Sequence, residues 1–304
     1  MRWFGVYLVL LSLLLSNLSV TGQTLVWRAT IESNGPSADQ GGVLKTDAAG
    51  RVPSLGHKGV WGRAGSSGDI QFILRNRSAN LSGLYRSPPS PPIRLYDAGI
   101  DTKGGTYLLY RDLGLANYGL GLTLAKFSPA TGRPLWTVSL AETAGGALVG
   151  GRMAIDSTDH IAIGTTDSSP VRPSRFRLAR VTSDGRLLLN RLLDRSSNLF
   201  DQFSAIAVDT TGNVYLTGSA GPDPRTDRNA VSTTQILTYR VRATNASIFW
   251  TRPYPTFGAF SDMKLALDPF GDVIVGALRI DGTTLVTSFA ALKLAGNGGT
   301  TLWH

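Results

Sequence analysis

The fold of this 304-residue chain is decided by one segment, Val208-Asp209-Thr210-Thr211-Gly212-Asn213-Val214-Tyr215-Leu216-Thr217-Gly218. A short apolar strand ends at Val208, a tight turn follows, and a return strand begins at Asn213. The Asp209 side chain can accept backbone N–H groups within the turn, and Gly212 supplies the left-handed residue that closes it. We therefore predict a hairpin in which Gly212 has a positive φ.

The same turn phrase recurs down the chain. Its aspartates are Asp47, Asp101, Asp156, Asp209 and Asp268, which lie 54, 55, 53 and 59 residues apart. A period of about 40 to 60 residues, made of short apolar runs and glycine turns, is typical of a β-propeller. In the copy at Asp156, the glycine that ends the turn is replaced by Asp159.

A second hairpin follows the first in each unit. In the clearest unit its strands are 235–241 and 248–251, and the other units repeat it near 124–137, 178–189 and 291–303. A basic residue or Tyr returns on the third strand, and an aromatic residue or Leu returns on the fourth. We expect Trp136 and Trp250 to pack between neighbouring units, where a large ring buries much apolar area. The sequence therefore predicts an all-β fold, a β-propeller of about five four-stranded blades.

The number and closure of the blades are less constrained. The units span roughly 41–88, 92–138, 150–191, 203–251 and 261–304, and the residues Val43 and Leu44 of the first unit also resemble a third strand. One further strand, 24–30, has the character of a fourth strand. Such a strand can complete the last blade and remove an open edge. Because 301–304 already supplies a fourth strand there, an incomplete or truncated propeller is an open alternative.

The amino terminus predicts export. Arg2 is followed by an apolar run over 6–15 and by small and polar residues up to Gly22, which is the pattern of a signal peptide. The run is too short to span a bilayer comfortably, although an uncleaved anchor is the alternative. We predict a signal peptide over 1–22, a propeller domain over 23–304 that is secreted or held at the cell surface or in the periplasm, and no membrane span after cleavage. The absence of cysteine excludes disulfides.

These features resemble the bacterial SBBP-type β-propeller repeat, whose units carry an Asp-x-x-Gly-Asn-Val-Tyr-x-x-Gly core. The segment from Asp209 to Gly218 matches that core almost throughout, and the other units match it more weakly. The resemblance implies an exported propeller. It implies no reaction, because the family shares no catalytic motif.

The chain contains no contiguous catalytic motif. Its histidines, His57, His160 and His304, fall in different units, and no nucleophile elbow is present. We therefore predict no catalytic residue, no metal and no cofactor, and a non-catalytic binding or structural module. A dehydrogenase of the quinoprotein type (with pyrroloquinoline quinone) is the alternative, because the phrase over 130–136, Ala-Thr-Gly-Arg-Pro-Leu-Trp, is similar to the repeat of those enzymes.

The charge of the chain suggests the kind of partner. The formal net charge is +9, which favours anionic partners, and the densest basic stretch runs over 172–195. Arg172, Arg175 and Arg177 lie where a loop enters the third strand of the middle unit, so we predict weak binding of polyanions there. A solvated strand face is the alternative. The partner itself stays unidentified, with a protein or an anionic glycan as candidates and specific nucleic-acid recognition not expected.

Overall fold

The computed structural model describes residues 38–44, 52–59, 69–75, 81–86, 93–112, 121–128, 133–140, 146–169, 172–193, 200–222, 234–242, 244–255, 259–280, 284 and 286–304. The predicted signal peptide over 1–22 and the predicted strand over 24–30 lie outside these residues.

The described residues form twenty strands in five four-stranded antiparallel sheets. The first sheet contains β1 (Ala38–Leu44), β2 (Val52–Gly59), β3 (Asp69–Arg75) and β4 (Leu81–Arg86). The second contains β5 (Ile93–Ile100), β6 (Thr106–Asp112), β7 (Leu122–Phe127) and β8 (Pro134–Leu140). The third contains β9 (Ala147–Ile155), β10 (Ile161–Ser168), β11 (Arg175–Val181) and β12 (Leu187–Leu193). The fourth contains β13 (Phe200–Val208), β14 (Val214–Gly221), β15 (Gln235–Val241) and β16 (Ile248–Pro255). The fifth contains β17 (Ala259–Leu267), β18 (Val273–Ile280), β19 (Thr287–Leu294) and β20 (Thr301–Trp303).

Each sheet is a meander in which strands adjacent in sequence are adjacent in space. The prediction of an all-β fold built from repeated four-stranded units is confirmed. The residues Val43 and Leu44 belong to β1, the first strand of their unit, and not to a third strand.

The predicted turns join the first and second strands. The N–H of Gly212 donates to the carbonyl of Asp209, and Gly212 has a φ of 82°, as predicted. In the third sheet Asp159 takes the glycine position with a φ of 63°. Aspartate tolerates this left-handed conformation better than most residues, because its short polar side chain can bond locally.

The sheets pack side by side through their first strands. β1 contacts β5, β5 contacts β9, β9 contacts β13, and β13 contacts β17. Apolar clusters fill the seams between the second and third, third and fourth, and fourth and fifth sheets. Among the described strands, no comparable contact joins β1 to β17. The described strands therefore form a row of packed sheets.

Two tryptophans connect consecutive sheets, as predicted. Trp136 of β8 donates its indole N–H to the carbonyl of Ser183 at 3.2 Å, in the last turn of the third sheet. Trp250 of β16 donates in the same way to the carbonyl of Gly296 at 3.0 Å, in the last turn of the fifth sheet. A Cβ added to Gly185 would come within 2.8 Å of the Trp136 ring, so the close docking of that ring requires glycine.

Each sheet has two unlike ends. The turn end holds the short turns between its first and second and between its third and fourth strands, and the loop end holds the longer connections. The pairing of the first strand with the second shifts register once in every sheet, for example at Leu95/Asp97 in β5 and at Phe203/Ala205 in β13. A bulge of this kind re-aims the side chains beside it. The repeated bulges therefore determine which side chains the first strands expose.

Candidate functional site

The turn aspartates are bound within the fold. Each of the four aspartates among the described residues lies opposite a basic residue of the third strand of its own sheet, in the pairs Asp101–Lys126, Asp156–Arg180, Asp209–Arg240 and Asp268–Lys293. The distance is 2.9 Å from Lys126 Nζ to Asp101 Oδ2 and 2.8 Å from Lys293 Nζ to Asp268 Oδ2, whereas Arg240 stands 3.9 Å from Asp209. The recurring basic residue that the sequence displays thus pairs with the recurring aspartate.

Hydrogen bonds complete the binding of these carboxylates. Asp209 Oδ1 accepts the backbone N–H groups of Thr211 and Asn213 at 2.9 and 2.8 Å. Burial alone raises the pKa of Asp209, but the hydrogen bonds from Thr211 and Asn213 outweigh burial and hold this pKa below its usual range. These aspartates are therefore ionised parts of the scaffold and leave no free group for chemistry.

Asp159 also connects two sheets. It accepts hydrogen bonds from the backbone N–H of Thr102 at 2.9 Å and from the Thr102 hydroxyl at 2.8 Å. Thr102 lies in the equivalent turn of the second sheet. Among the described turns between first and second strands, the one that lacks glycine therefore gains a polar contact between sheets.

The predicted basic residues lie at the loop end of the third sheet. Arg177 is 5% exposed and donates from Nε and Nη2 to Asp167 Oδ2, at 2.9 and 2.6 Å. Arg172 donates to the other oxygen of the same carboxylate at 2.5 Å. Two guanidinium groups thus share one buried carboxylate, and Arg172 is the more exposed of the two arginines. Binding of polyanions by Arg172, Arg175 and Arg177 stays a prediction.

A second basic group, which the sequence did not reveal, lies at the loop end of the seam between the second and third sheets. Arg94 on β5 pairs directly opposite Arg111 on β6. Both guanidinium carbons lie over the ring of Tyr96, at 5.5 and 5.9 Å from its centroid. Arg152 on β9 donates to the carbonyl of Tyr96 at 2.7 Å. We call Arg94, Tyr96, Arg111 and Arg152 the arginine cluster.

The first strands also carry buried carboxylates. Asp97, 4% exposed, accepts the N–H of Ala98 at 2.9 Å and the N–H of Met153, on the next sheet, at 2.7 Å. Asp201 at the start of β13 is equally buried. By contrast, the first strands expose the polar side chains of Arg152, Gln202 and Lys264.

These groups determine what the loop end can do chemically. Guanidinium groups bind carboxylates and sulfates through paired N–H donors, and amide and ammonium groups bind hydroxyls and anions. The arrangement suits a polar or anionic chain laid across several first strands. Within the described ranges no group of three or more His, Asp or Glu residues could hold a metal ion, and no described helix is long and apolar enough to cross a membrane.

Comparison with known proteins was informative at the level of the fold. No family model and no curated protein matches this chain. An ulvan lyase of a new polysaccharide lyase family, bound to -[GlcA(1-4)Rha3S]-, matches with a TM-score of 0.53 and 11% identity over 85% of this chain and 68% of the lyase. An α-L-arabinanase from Penicillium chrysogenum, complexed with arabinobiose, matches with a TM-score of 0.51 and 8% identity over 84% of this chain and 81% of the arabinanase. A protein of unknown function from Dyadobacter fermentans matches with a TM-score of 0.54 and 9% identity over 84% of this chain and 83% of that protein.

These neighbours require a correction. The prediction of a non-catalytic binding or structural module, and with it the prediction that the chain is not an enzyme, is wrong, because two of these three structures are glycan-processing enzymes. The quinoprotein and truncated-propeller alternatives belonged to that prediction and are replaced with it, and the turn over 130–132 lies outside the described residues. The prediction failed because repeated sheets contribute their exposed polar side chains singly, so that no contiguous motif marks a site. At such low identity the likeness establishes a propeller-like fold, and the activity is a matter for proposal.

Proposed function

We propose that this protein is an exported glycan-processing enzyme, built as a closed five-bladed propeller of the SBBP-repeat type. The signal-peptide pattern over 1–22 supports export, and the match of Asp209 to Gly218 with the repeat core supports the family. Five packed four-stranded sheets support the blade count. The glycan-processing enzymes among the structural neighbours support the substrate class.

One observation carries the location of the site. Arg152, Gln202 and Lys264 project from β9, β13 and β17, three successive first strands, and all three side chains are exposed. At the turn end, by contrast, the recurring aspartates and basic residues of the described sheets bind one another. We therefore assign the glycan to the surface formed by the first strands, with these side chains binding its hydroxyl and charged groups.

The geometry also bears on the kind of cleavage. Hydrolysis of a glycosidic bond uses a pair of accessible carboxylic acids. Both oxygens of Asp97 already accept backbone N–H groups, which makes this residue a support for β5 and β9. Arg152 and Lys264 are instead cationic, which suits the neutralisation of a uronate carboxylate. This favours an elimination at the uronate, in which a base takes the C5 proton, the C4–O bond breaks and the departing oxygen receives a proton.

Cleavage of a polysaccharide panel tests the proposal. The panel contains neutral arabinan and galactan beside uronate-containing polysaccharides, and two readouts are followed: new reducing ends, and the ultraviolet absorbance of an unsaturated uronate, which elimination alone produces. We expect both signals on a uronate-containing polymer. Failure of the full-length chain and of the chain from residue 23 to cleave any polymer would contradict the proposal.

A matched pair of variants locates the activity. Arg152→Met removes an exposed charge from the first strand of the third sheet, whereas Arg191→Met removes one from the outermost strand of the same sheet. We expect about a tenfold or larger loss of kcat/KM for Arg152→Met, since a hydrogen bond to a charged group is lost, and no loss for Arg191→Met. Equal activity of the two variants would contradict the assigned surface.

A further inference from the structure

The arginine cluster holds three positive charges without an acidic partner. Within the described residues no carboxylate forms an ion pair with Arg94, Arg111 or Arg152, and the hydrogen bonds of Arg152 go to the carbonyls of Tyr96 and Gly151. Elsewhere in the same sheets, the basic residues near the turns have such partners. The basic residues of the cluster therefore lack the ion pairs that the basic residues near the turns form.

The position of Arg94 opposite Arg111 costs stability. In an antiparallel pair, side chains directly opposite have their Cβ atoms about 5 Å apart, and like charges at this separation repel. The Tyr96 ring offsets part of this repulsion, because its face attracts both cations. Scaffold requirements do not explain two arginines here, since the equivalent pair in the fourth sheet, one residue before the bulge, is Gln202 opposite Ser219.

Burial strengthens the field of the cluster. The Nε and Nη2 atoms of Arg111 are shielded from solvent and have no hydrogen-bond partner. Water therefore screens this charge poorly, and its attraction for an anion beside the exposed Arg94 is stronger than at an open surface. An unpaired, partly desolvated guanidinium is a costly state that a bound anion relieves.

Two of the three arginines reach the surface. Arg94 and Arg152 are exposed, and Tyr96, which contacts both, packs against the apolar cluster that fills the seam between the second and third sheets. Gly150, two residues before Arg152 in β9, has a φ of 68°, and a Cβ added there would meet nothing within 4 Å. The forked donors of the exposed arginines match the planar oxygens of a carboxylate or the oxygens of a sulfate.

From these observations we infer that Arg94, Arg111 and Arg152 form a subsite for the anionic group, carboxylate or sulfate, of an acidic sugar in a glycan. The inference rests on the proposed function for the glycan, and it adds the selection of acidic over neutral chains. Arg94 and Arg111 bind the anion from the two strands of one sheet, and Arg152 approaches from the next sheet. The hydrogen bond of Arg152 to the carbonyl of Tyr96, at the bulge of β5, joins these two sides.

Calorimetric titration with three matched oligosaccharides tests the subsite. The ligands are a glucuronate-containing tetrasaccharide, the same tetrasaccharide with its carboxylates reduced to alcohols, and a sulfated derivative of the reduced form. We expect the wild-type chain to bind at least one of the two charged ligands about ten- to a hundredfold more tightly than the neutral one. The better of the two charged ligands identifies the anion, carboxylate or sulfate, and equal affinity for all three overturns the subsite.

Two variants and a control separate binding from folding. We expect Arg94→Met and Arg111→Met each to abolish the preference for the charged ligand while keeping or raising the Tm, because a like-charge repulsion is removed. Arg191→Met, which removes the same charge elsewhere, is expected to keep the preference. An undiminished preference in both cluster variants, or an equal loss in all three, overturns the inference.

The outcome also distinguishes this inference from the proposed function. A selective preference for charged ligands without cleavage of any polysaccharide means that the subsite holds and the enzymatic proposal fails. Cleavage of a uronate-containing polymer that Arg94→Met leaves unaffected, together with equal affinity for the charged and neutral ligands, means that the enzymatic proposal holds and the subsite fails.

Discussion

The two ends of the sheets balance their charges in opposite ways. At the turn end, the carboxylates of Asp101, Asp156 and Asp268 each bind a basic residue two strands away. At the loop end, Arg94 and Arg111 face each other without a described acidic partner, and two further arginines share the single carboxylate of Asp167.

This difference separates repeated structure from individual function. The turn-end pairs recur in four sheets, which indicates that they stabilise the repeat itself. The loop-end groups differ from sheet to sheet, as expected where loops supported by a rigid scaffold carry the function. Mutations at the turn end should therefore act on stability, and mutations at the loop end should act on binding.

The largest effect is expected at the tryptophans of the turn end. Trp250 is 7% exposed in the seam between the fourth and fifth sheets, so Trp250→Ala should lower the free energy of unfolding by roughly 3–5 kcal/mol. Trp136→Ala should act similarly. Trp303 pairs with Lys293 as Trp250 pairs with Arg240, but it is 46% exposed, and Trp303→Ala should cost less than about 1 kcal/mol.

Denaturant unfolding of these variants measures the difference. Equal losses for Trp250→Ala and Trp303→Ala would show that docking on the next sheet contributes little. Iodide quenching gives an independent readout, since Trp136 and Trp250 should be protected in the folded chain.

A smaller loss of stability is expected in the tight turns. Gly212→Val should cost about 1–3 kcal/mol, because a β-branched residue is strained at a φ of 82°. Gly298→Ala is the matched control, since Gly298 has no positive φ and its added Cβ meets nothing within 4 Å. An unchanged midpoint of chemical denaturation for Gly212→Val would show that this turn does not need a left-handed residue.

Acid should weaken the turn end gradually. Burial raises the pKa of Asp101 and Asp156, but hydrogen bonds from Lys126 and Thr158, among others, outweigh burial and lower both pKa values. A carboxylate with a depressed folded-state pKa stabilises the fold above its unfolded pKa of about 4, and this contribution is lost as the pH falls through the folded value.

Urea unfolding measured from about pH 6 down to about pH 3 should therefore show a falling midpoint. Asp156→Asn should be less stable at neutral pH and less sensitive to acid than the wild-type chain. The same acid sensitivity in both proteins would exclude Asp156 as a contributor.

The smallest effect is expected for the basic segment at the loop end. Replacement of Arg172, Arg175 and Arg177 by Ser should lower the salt concentration at which the protein elutes from heparin, because exposed charges are screened within about 8 Å at physiological ionic strength. A variant with Ser at Arg172 and Arg175 alone keeps the buried Arg177–Asp167 pair and controls for damage to the fold. Equal elution of all three proteins would leave the positive charge as a general surface property.

The sequence predicted what is local and periodic. Gly212 and the strands around it follow from a turn phrase of a few residues, and Trp136 and Trp250 follow from their repeated position. The pairing of Arg94 with Arg111 could not be predicted, because the two residues lie on different strands and their facing depends on register and on the bulge at Tyr96.

The ion pair of Arg177 with Asp167 escaped prediction for a related reason. The sequence shows the density of arginines in that segment, but the buried carboxylate that binds them belongs to the preceding strand. Likewise Arg152 comes from the next sheet, and only the packing of β5 on β9 brings it to Tyr96. No repeated position marks this group in the sequence, since Arg94 lies seven residues before the turn aspartate Asp101 whereas Arg152 lies four before Asp156.

The tryptophan contacts also give the chain a direction of assembly. Trp136 and Trp250 dock on turns that lie 47 and 46 residues further along, in the sheet that follows their own. During synthesis, a sheet therefore emerges from the ribosome before its docking partner exists. Each of these sheets reaches its full stability only when the next one has been made, so neighbouring sheets should gain and lose structure as coupled units along the chain.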